Sequence, residues 1–379
     1  MSLKNKAICI LYFLFLIASS LYCYKKPLYN WDMLSYMALA AGVENHDIIA
    51  THEIVYNEAK KHVPEPFYSR LVEPTHEFKH KMFTDPVAFN DQLVFYTIKP
   101  LYIGLVYLSY KAGLSLSKAT VAPSVISYFL IGSLLFVWLI KYMAISLAAL
   151  ISICTMLTAP LLNAAMLSTP DCLSGFTLFA AMYFILEHRK IFPVFLFFVL
   201  SIFARIDNVI AGVLIVSLLA FTRRSVMKIS KKQYALMLAG FVICYFIISY
   251  RCVQYGWNIL FYPSFAQHLD NNSGLSSHFS LAEYMRLAYS QILTGLFFYH
   301  LAIYLVMLLF VFVNTPPKLS KLNFDQLLAL LTFFIIAVRF ILLPEIDDRF
   351  YISWYLLIVM LLIRKLSQKV PNSPILSSP

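Results

Sequence analysis

Charge is what this chain has least of. Asp, Glu, Lys and Arg make up 13% of its 379 residues, against 60% hydrophobic. Nearly all of those charges fall in the gaps between long apolar runs that recur from Ala7 to Ile363. A charge at the centre of a membrane helix costs about 2.5–3.5 kcal/mol on insertion scales. Runs this bare exclude a soluble globular chain and mark a polytopic membrane protein. Usable cysteine is lacking too. Cys9, Cys23, Cys154, Cys172, Cys244 and Cys252 lie in or beside apolar runs, with neither metal-ligand spacing nor a disulfide framework. They read as small hydrophobes. No small-x-small cleavage site precedes Tyr24-Lys25-Lys26, so the first apolar run reads as an uncleaved span rather than a signal peptide. Low-complexity segments and internal repeats are absent. The net charge of +11 does not point to nucleic acid, because Lys and Arg accumulate in the cytoplasmic loops of membrane proteins.

Ten candidate spans are present: Ala7–Tyr24, Val121–Ile140, Tyr142–Pro160, Cys172–Leu186, Ile191–Ala204, Asn208–Thr222, Tyr234–Tyr250, Leu287–Val313, Gln326–Leu343 and Tyr351–Ile363. A span needs roughly 20 apolar residues, fewer where it is kinked. Leu93–Tyr110 is also apolar, but Lys99-Pro100 interrupts it. The basic loops settle its place. Arg223, Arg224, Lys228, Lys231 and Lys232 form the strongest cytoplasmic signal. Holding Leu93–Tyr110 at the outer surface, as a juxtamembrane or re-entrant helix, puts that cluster in the cytoplasm together with Glu187–Lys190, Lys318/Lys321, Arg364-Lys365 and both termini. The expected architecture is an all-α polytopic membrane protein with one membrane domain over residues 1–369. It carries a long first outer loop (about 25–119), a second (about 251–286) and a disordered cytoplasmic tail (370–379). The expected location is the bacterial cytoplasmic (inner) membrane.

Four outer-face constellations could carry chemistry. Asn30-Trp31-Asp32-Met33-Leu34-Ser35-Tyr36 follows the first span, with Asp32 and Tyr36 on one helix face. A carboxylate there can serve as general base or metal ligand. The ordinary alternative is an aromatic belt with a helix-capping Asp. Ser168-Thr169-Pro170-Asp171 heads an apolar helix, where capping is again the ordinary role. Arg205-Ile206-Asp207 sits between two charge-free runs and offers either a forked donor to a phosphate or a local ion pair. Pro344–Tyr351 packs Glu345, Asp347, Asp348 and Arg349 into a short loop, with Arg339 about one turn inside the membrane. The first loop also holds His46, His52, His62, His76 and His80, in irregular spacings that fit a solvated loop better than a metal site.

The order of these signals is more specific than any one of them. An outer Asp follows the first span. A juxtamembrane helix then starts at Tyr96-Thr97-Ile98-Lys99-Pro100-Leu101-Tyr102, and two spans lead to Pro160…Asp171. Arg205 comes after the next hairpin, and Pro344…Arg349-Phe350 closes the series. This order resembles the GT-C superfamily of polyprenyl-phosphate-sugar-dependent glycosyltransferases, in its protein mannosyltransferase and lipid A aminoarabinose transferase branch. The resemblance runs from about Ala7 to Tyr351 as short motifs. It implies a transferase at the outer membrane face, moving a sugar from a polyprenyl phosphate carrier to a glycan, lipid or protein acceptor. Asp32 would stand in the place of the first-loop catalytic Asp and Asp171 in that of the second-loop acid. Lys99, Arg205 and Arg349 match positions where basic groups hold the donor phosphate. Some members hold a divalent metal (Mg or Mn), for which Asp32 and Asp171 would be the ligands. Two features depart from the pattern. Met33 follows Asp32 where the family often has Asp-Glu, and there is no large soluble carboxy-terminal domain, which leaves acceptor recognition to the loops. An O-antigen-type polymerase or ligase is the alternative that the first-loop histidines suggest. A lipid-linked-sugar transporter or flippase is disfavoured by spans almost free of ionisable groups, His300 being the main exception.

Overall fold

In a bilayer every backbone N–H and C=O must be satisfied within its own segment, so apolar sequence becomes helix. The computed structural model describes residues 2–44, 47–222, 225–250, 280–313 and 321–369. Most of the second outer loop, the Arg223-Arg224 pair, His46, Lys318 and the 370–379 tail lie outside the described residues. Apart from one isolated parallel bridge, Leu28 to Leu167, the regular structure among the described residues is helical. After α1 (Leu3–Lys25) come six shorter helices in the first outer loop: α2 (Asp32–Ala41), α3 (Ile48–His62), α4 (Glu65–Leu71), α5 (Glu77–Thr84), α6 (Pro86–Leu93) and α7 (Pro100–Lys111). The bundle continues with α8 (Leu116–Leu139), α9 (Ile145–Met156), α10 (Ala159–Met166), α11 (Asp171–Tyr183, extended by a π turn to His188), α12 (Ile191–Ala204) and α13 (Asn208–Phe221). It closes with α14 (Lys231–Ser249), α15 (Leu281–Phe298), α16 (Leu301–Phe310), α17 (Phe324–Leu342) and α18 (Ile352–Lys369).

Among the described residues four helices, α1, α8, α14 and α17, are long and apolar enough to cross a membrane, and α9 with α10 makes a fifth if that pair, bent by 61°, is one broken span. The 24 residues of α8 extend about 36 Å at 1.5 Å per residue, more than the roughly 30 Å of bilayer hydrocarbon. α8 is the axis on which α1, α7, α9, α10 and α11 pack, and α11 in turn lies against α12 and α18. The outer helices keep large apolar side chains on the surface, among them Ile10, Leu11 and Leu14 on α1, Phe246 and Ile247 on α14, and Phe333 and Phe334 on α17. Water disfavours such a surface and lipid does not, which is consistent with an integral membrane protein.

The segment between α1 and α8 has a core of its own. Met33, Leu34, Tyr36, Val55, Tyr56, Phe89, Tyr102 and Val106 are buried in one cluster, and the bundle adds Leu116, Ala119, Leu173 and Ala204 to it. The segment is therefore a helical cap seated on the bundle. Acidic residues start its helices: Asp47 Oδ1 accepts from the Ile49 and Ala50 amides, and Asp85 Oδ1 from those of Val87 and Ala88 ahead of α6. Leu93–Tyr110 runs from the end of α6 through a turn into α7.

Two expectations are corrected. Leu287–Val313 is not one helix: α15 and α16 are separated at Tyr299-His300. Tyr142–Pro160 breaks at Leu157-Thr158, and Leu161–Met166, expected as outer loop, is helical. Of the ten expected spans, helix length and composition among the described residues support four or five. The 14 residues of α12 or of α13 reach only about 21 Å, short of the hydrocarbon thickness.

Candidate functional site

The bridge between Leu28 and Leu167 sets the site's register. Leu28 N–H donates to the Met166 carbonyl at 2.9 Å, and the two segments run parallel. Asp32 and Asp171 each lie four residues further on, and each is the first residue of a helix, α2 and α11 respectively. The N-caps are Trp31 and Pro170, and the carboxylates of Asp32 and Asp171 accept from side chains elsewhere in the fold, so neither acts as a capping Asp. Negative charge at a helix start is favourable in any case, and the carboxylates are left to reach across the fold.

Arginines meet them there. Asp171, its side chain only 2% exposed, accepts from Arg205 Nη1, and Arg349 Nε lies 3.7 Å from its other oxygen. Asp32 accepts from the Tyr96 hydroxyl at 2.9 Å and from Arg349 Nη1 at 3.4 Å. Arg349 thus joins the cap's carboxylate to the bundle's, with Asp347 Oδ2 a further 2.9 Å from its Nε. Arg205 also grips Asp207 in a fork, at 3.0 and 3.1 Å, and Arg339 Nε reaches the same carboxylate at 3.3 Å. The guanidiniums of Arg205, Arg339 and Arg349 all lie against the Phe350 ring, at 4.5, 4.4 and 4.8 Å from its centre. Asp171, Arg205, Asp207, Arg339, Arg349 and Phe350 line an open-sided cavity, whose apolar wall includes Leu178, Ile335, Ile352 and Trp354.

Four of the residues singled out in the sequence, Asp32, Asp171, Arg205 and Arg349, are therefore in one connected network. The fifth, Lys99, stands at the start of α7 with its ammonium 4.9 Å from the Tyr96 ring and 5.7 Å from that of Tyr36. It forms no ion pair with a carboxylate among the described residues. Burial pushes the Lys99 pKa down to about 8. Asp32 and Asp171 counter that shift, and Arg205 and Arg349 reinforce it. Burial also works against charge on Arg205 and Arg349, but their carboxylate neighbours outweigh it and hold both firmly protonated. For Asp207 burial is overcome by Arg205 and Arg339, which keep its carboxyl well below the usual range. Glu345 and Asp347 go the other way: burial raises both, with Arg349 only partly opposing it.

The donor set does not fit a divalent metal. Asp32 and Asp171 are bridged by a guanidinium, which already supplies the positive charge between them, and no group of three His, Cys, Asp or Glu with ligating geometry exists among the described residues. No step is derived through a metal. The described first-loop histidines have structural partners where these are resolved: His52 Nε2 meets the Met82 carbonyl at 3.0 Å, and His62 lies 3.5 Å from Glu58.

Sequence reasoning named Arg339 beside the late loop, and Tyr96 and Phe350 within motifs, but gave none of them a role in the site. An arginine within an otherwise apolar α17 was the available signal, because such a charge needs a buried partner. It also missed two other networks. His300, at the α15–α16 break, pairs with Asp348 at 2.6 Å, and the Tyr355 hydroxyl donates to the same carboxylate at 2.7 Å. Some 24 Å along α11 from Asp171 (at about 1.5 Å per residue), Arg364 binds Glu187 at 2.8 Å and Asp325 at 2.9 Å. Trp138 and Tyr142 donate to the same Glu187. This knot ties α8, α11, α17 and α18 together at their far ends. Compared with known proteins, the chain matches no family model, no curated protein and no solved structure.

Proposed function

We propose that this protein is a glycosyltransferase of GT-C type, using a polyprenyl-phosphate-linked sugar at the outer face of the bacterial inner membrane, with both termini in the cytoplasm. One observation carries the reading: two carboxylates from distant segments, Asp32 and Asp171, share Arg349 beside a cavity with one apolar wall. A lipid phosphate ester needs that combination of cation and hydrocarbon.

Asp32 is the catalytic base. Its side chain is 29% exposed, against 2% for Asp171, so it is the carboxylate an acceptor can reach. It takes the proton from the acceptor hydroxyl as that oxygen bonds to the anomeric carbon of the sugar. The bond from that carbon to the phosphate oxygen breaks, and its electron pair leaves on the polyprenyl phosphate, which gains one negative charge. Lys99, Arg205 and Arg349 supply the positive field in which that charge develops. Asp171 anchors Arg205 and Arg349 rather than meeting substrate. The polyprenyl chain lies along apolar grooves between helices, and cap loops recognise the acceptor.

Proteoliposomes given polyprenyl-phosphate sugars labelled in the sugar test this. The wild type is expected to release or transfer label from at least one of a panel of donors. Asp32→Asn, which keeps shape and helix start, should abolish that release at normal abundance. Full activity in the Asn variant would remove Asp32 from the chemistry.

A further inference from the structure

Three arginines face one cavity, and their nitrogens are not equally free. Every nitrogen of Arg205 is taken: Nε and Nη2 by Asp207 at 3.0 and 3.1 Å, and Nη1 by Asp171. Arg349 is within ion-pair distance of three carboxylates, Asp32, Asp171 and Asp347, although its Nε is buried without a hydrogen bond. Arg339 has fewer carboxylates around it. Its Nε shares Asp207 with Arg205 at 3.3 Å, while its Nη1 is buried without a hydrogen-bond partner. The residue is 7% exposed and lines the cavity.

Such a nitrogen is uncommon in a folded protein, because a buried donor without an acceptor forfeits its hydration and gains nothing in exchange. Its surroundings add to the anomaly. Asp207 is one carboxylate serving two guanidiniums, and both guanidiniums, with Arg349, crowd the ring of Phe350. Arg339 also lies 4.9 Å from the Tyr351 ring. Around Arg339 itself, Asp207 is the carboxylate in ion-pair contact, and it is shared with Arg205. An oxyanion in the cavity would satisfy the free donor.

We infer that Arg339 is a direct ligand of the donor's phosphate, an assignment that rests on the glycosyltransferase reading above. It holds the phosphate by a charge-assisted hydrogen bond from Nη1. That bond strengthens as the phosphate passes from a singly charged diester to the monoester leaving group. Arg205, each of whose nitrogens already meets a carboxylate, contributes chiefly field and geometry.

Binding can be measured without turnover. The full chain, purified in detergent, is titrated with farnesyl phosphate, with farnesol and with inorganic phosphate, and ligand-induced thermal stabilisation is read. The wild type should be stabilised by farnesyl phosphate and not by farnesol. Arg339→Gln should weaken farnesyl phosphate by roughly tenfold or more, the loss of one charge-assisted hydrogen bond, with its unliganded Tm retained. Unchanged affinity in Arg339→Gln overturns the assignment and leaves the glycosyltransferase reading standing. A wild type that binds no farnesyl phosphate overturns both. Inorganic phosphate stabilising the wild type as well as farnesyl phosphate, at equal concentration, would make this a free-phosphate site and overturn the donor assignment. Should Arg339→Gln fail to fold, Arg339→Lys keeps the charge but loses the fork. A severalfold loss of affinity is then expected, and wild-type affinity overturns the assignment.

Discussion

Lys99 carries the clearest pH signature of any single residue. Its ammonium sits over Tyr96 with no carboxylate in ion-pair contact among the described residues, and burial holds its pKa at about 8. The protonated form is the one that attracts a phosphate. Donor kcat/KM should therefore fall as pH rises through about 8 in the free enzyme. The corresponding limb in kcat should lie at higher pH, because a bound phosphate favours the proton. Folding stability moves in the opposite sense. Between about 8 and the ordinary lysine value near 10.4, the unfolded chain holds a proton that folded Lys99 has lost, so stability rises with pH across that window. Lys99→Met should abolish the alkaline limb in kcat/KM. A limb that persists in that variant belongs to another group.

At the scale of elements, the late outer loop is where the site is most easily disturbed from a distance. Gly295 on α15 faces Ile346, and a Cβ there would come within 2.6–3.0 Å of that side chain's Cδ1, Cγ2 and Cβ. Ile346 stands one residue before Asp347 and three before Arg349, and its amide donates to Gln291 on α15 at 3.3 Å. Gly295→Ala must push the loop. A misplacement near 1 Å costs on the order of a hundredfold in rate, so a kcat loss of roughly tenfold or more is expected with abundance preserved. Gly104→Ala, with open space around it, is the control and should leave kcat unchanged. The same elements mark how far the sequence could be read. Helices α1, α8, α14 and α17 were legible because long apolar runs admit little else. The breaks at Thr158 and at Tyr299-His300 were not, since the chain stays apolar or aromatic across them. Asp32 and Asp171 stood out as isolated carboxylates at helix starts. Arg339 did not join them, because its partner Asp207 is 132 residues away and only the fold brings the two together.

For the whole molecule the untested quantity is sidedness. Lys228 and Thr75 are both exposed, one in the basic segment before α14 and the other in the cap. Placed as single cysteines in a background without the native six, they should react with an impermeant thiol reagent from opposite sides. Labelling from one side alone would put the cap in the cytoplasm and end the outer-face reading. The cap has another bearing on the molecule, through the strand-like pairing of Leu28 with Leu167. Asp32 belongs to the cap and Asp171 to the bundle, and both are counted off from that pairing by the same four residues. A chain whose cap has not yet seated possesses only half of its acids, and on the proposed chemistry it cannot spend lipid-linked sugar on water. On the proposed chemistry, the pairing would be an interlock between biogenesis and reactivity, arming the protein only once it has finished folding. An insertion or deletion of one residue between Leu28 and Asp32 would leave every helix intact and disarm it.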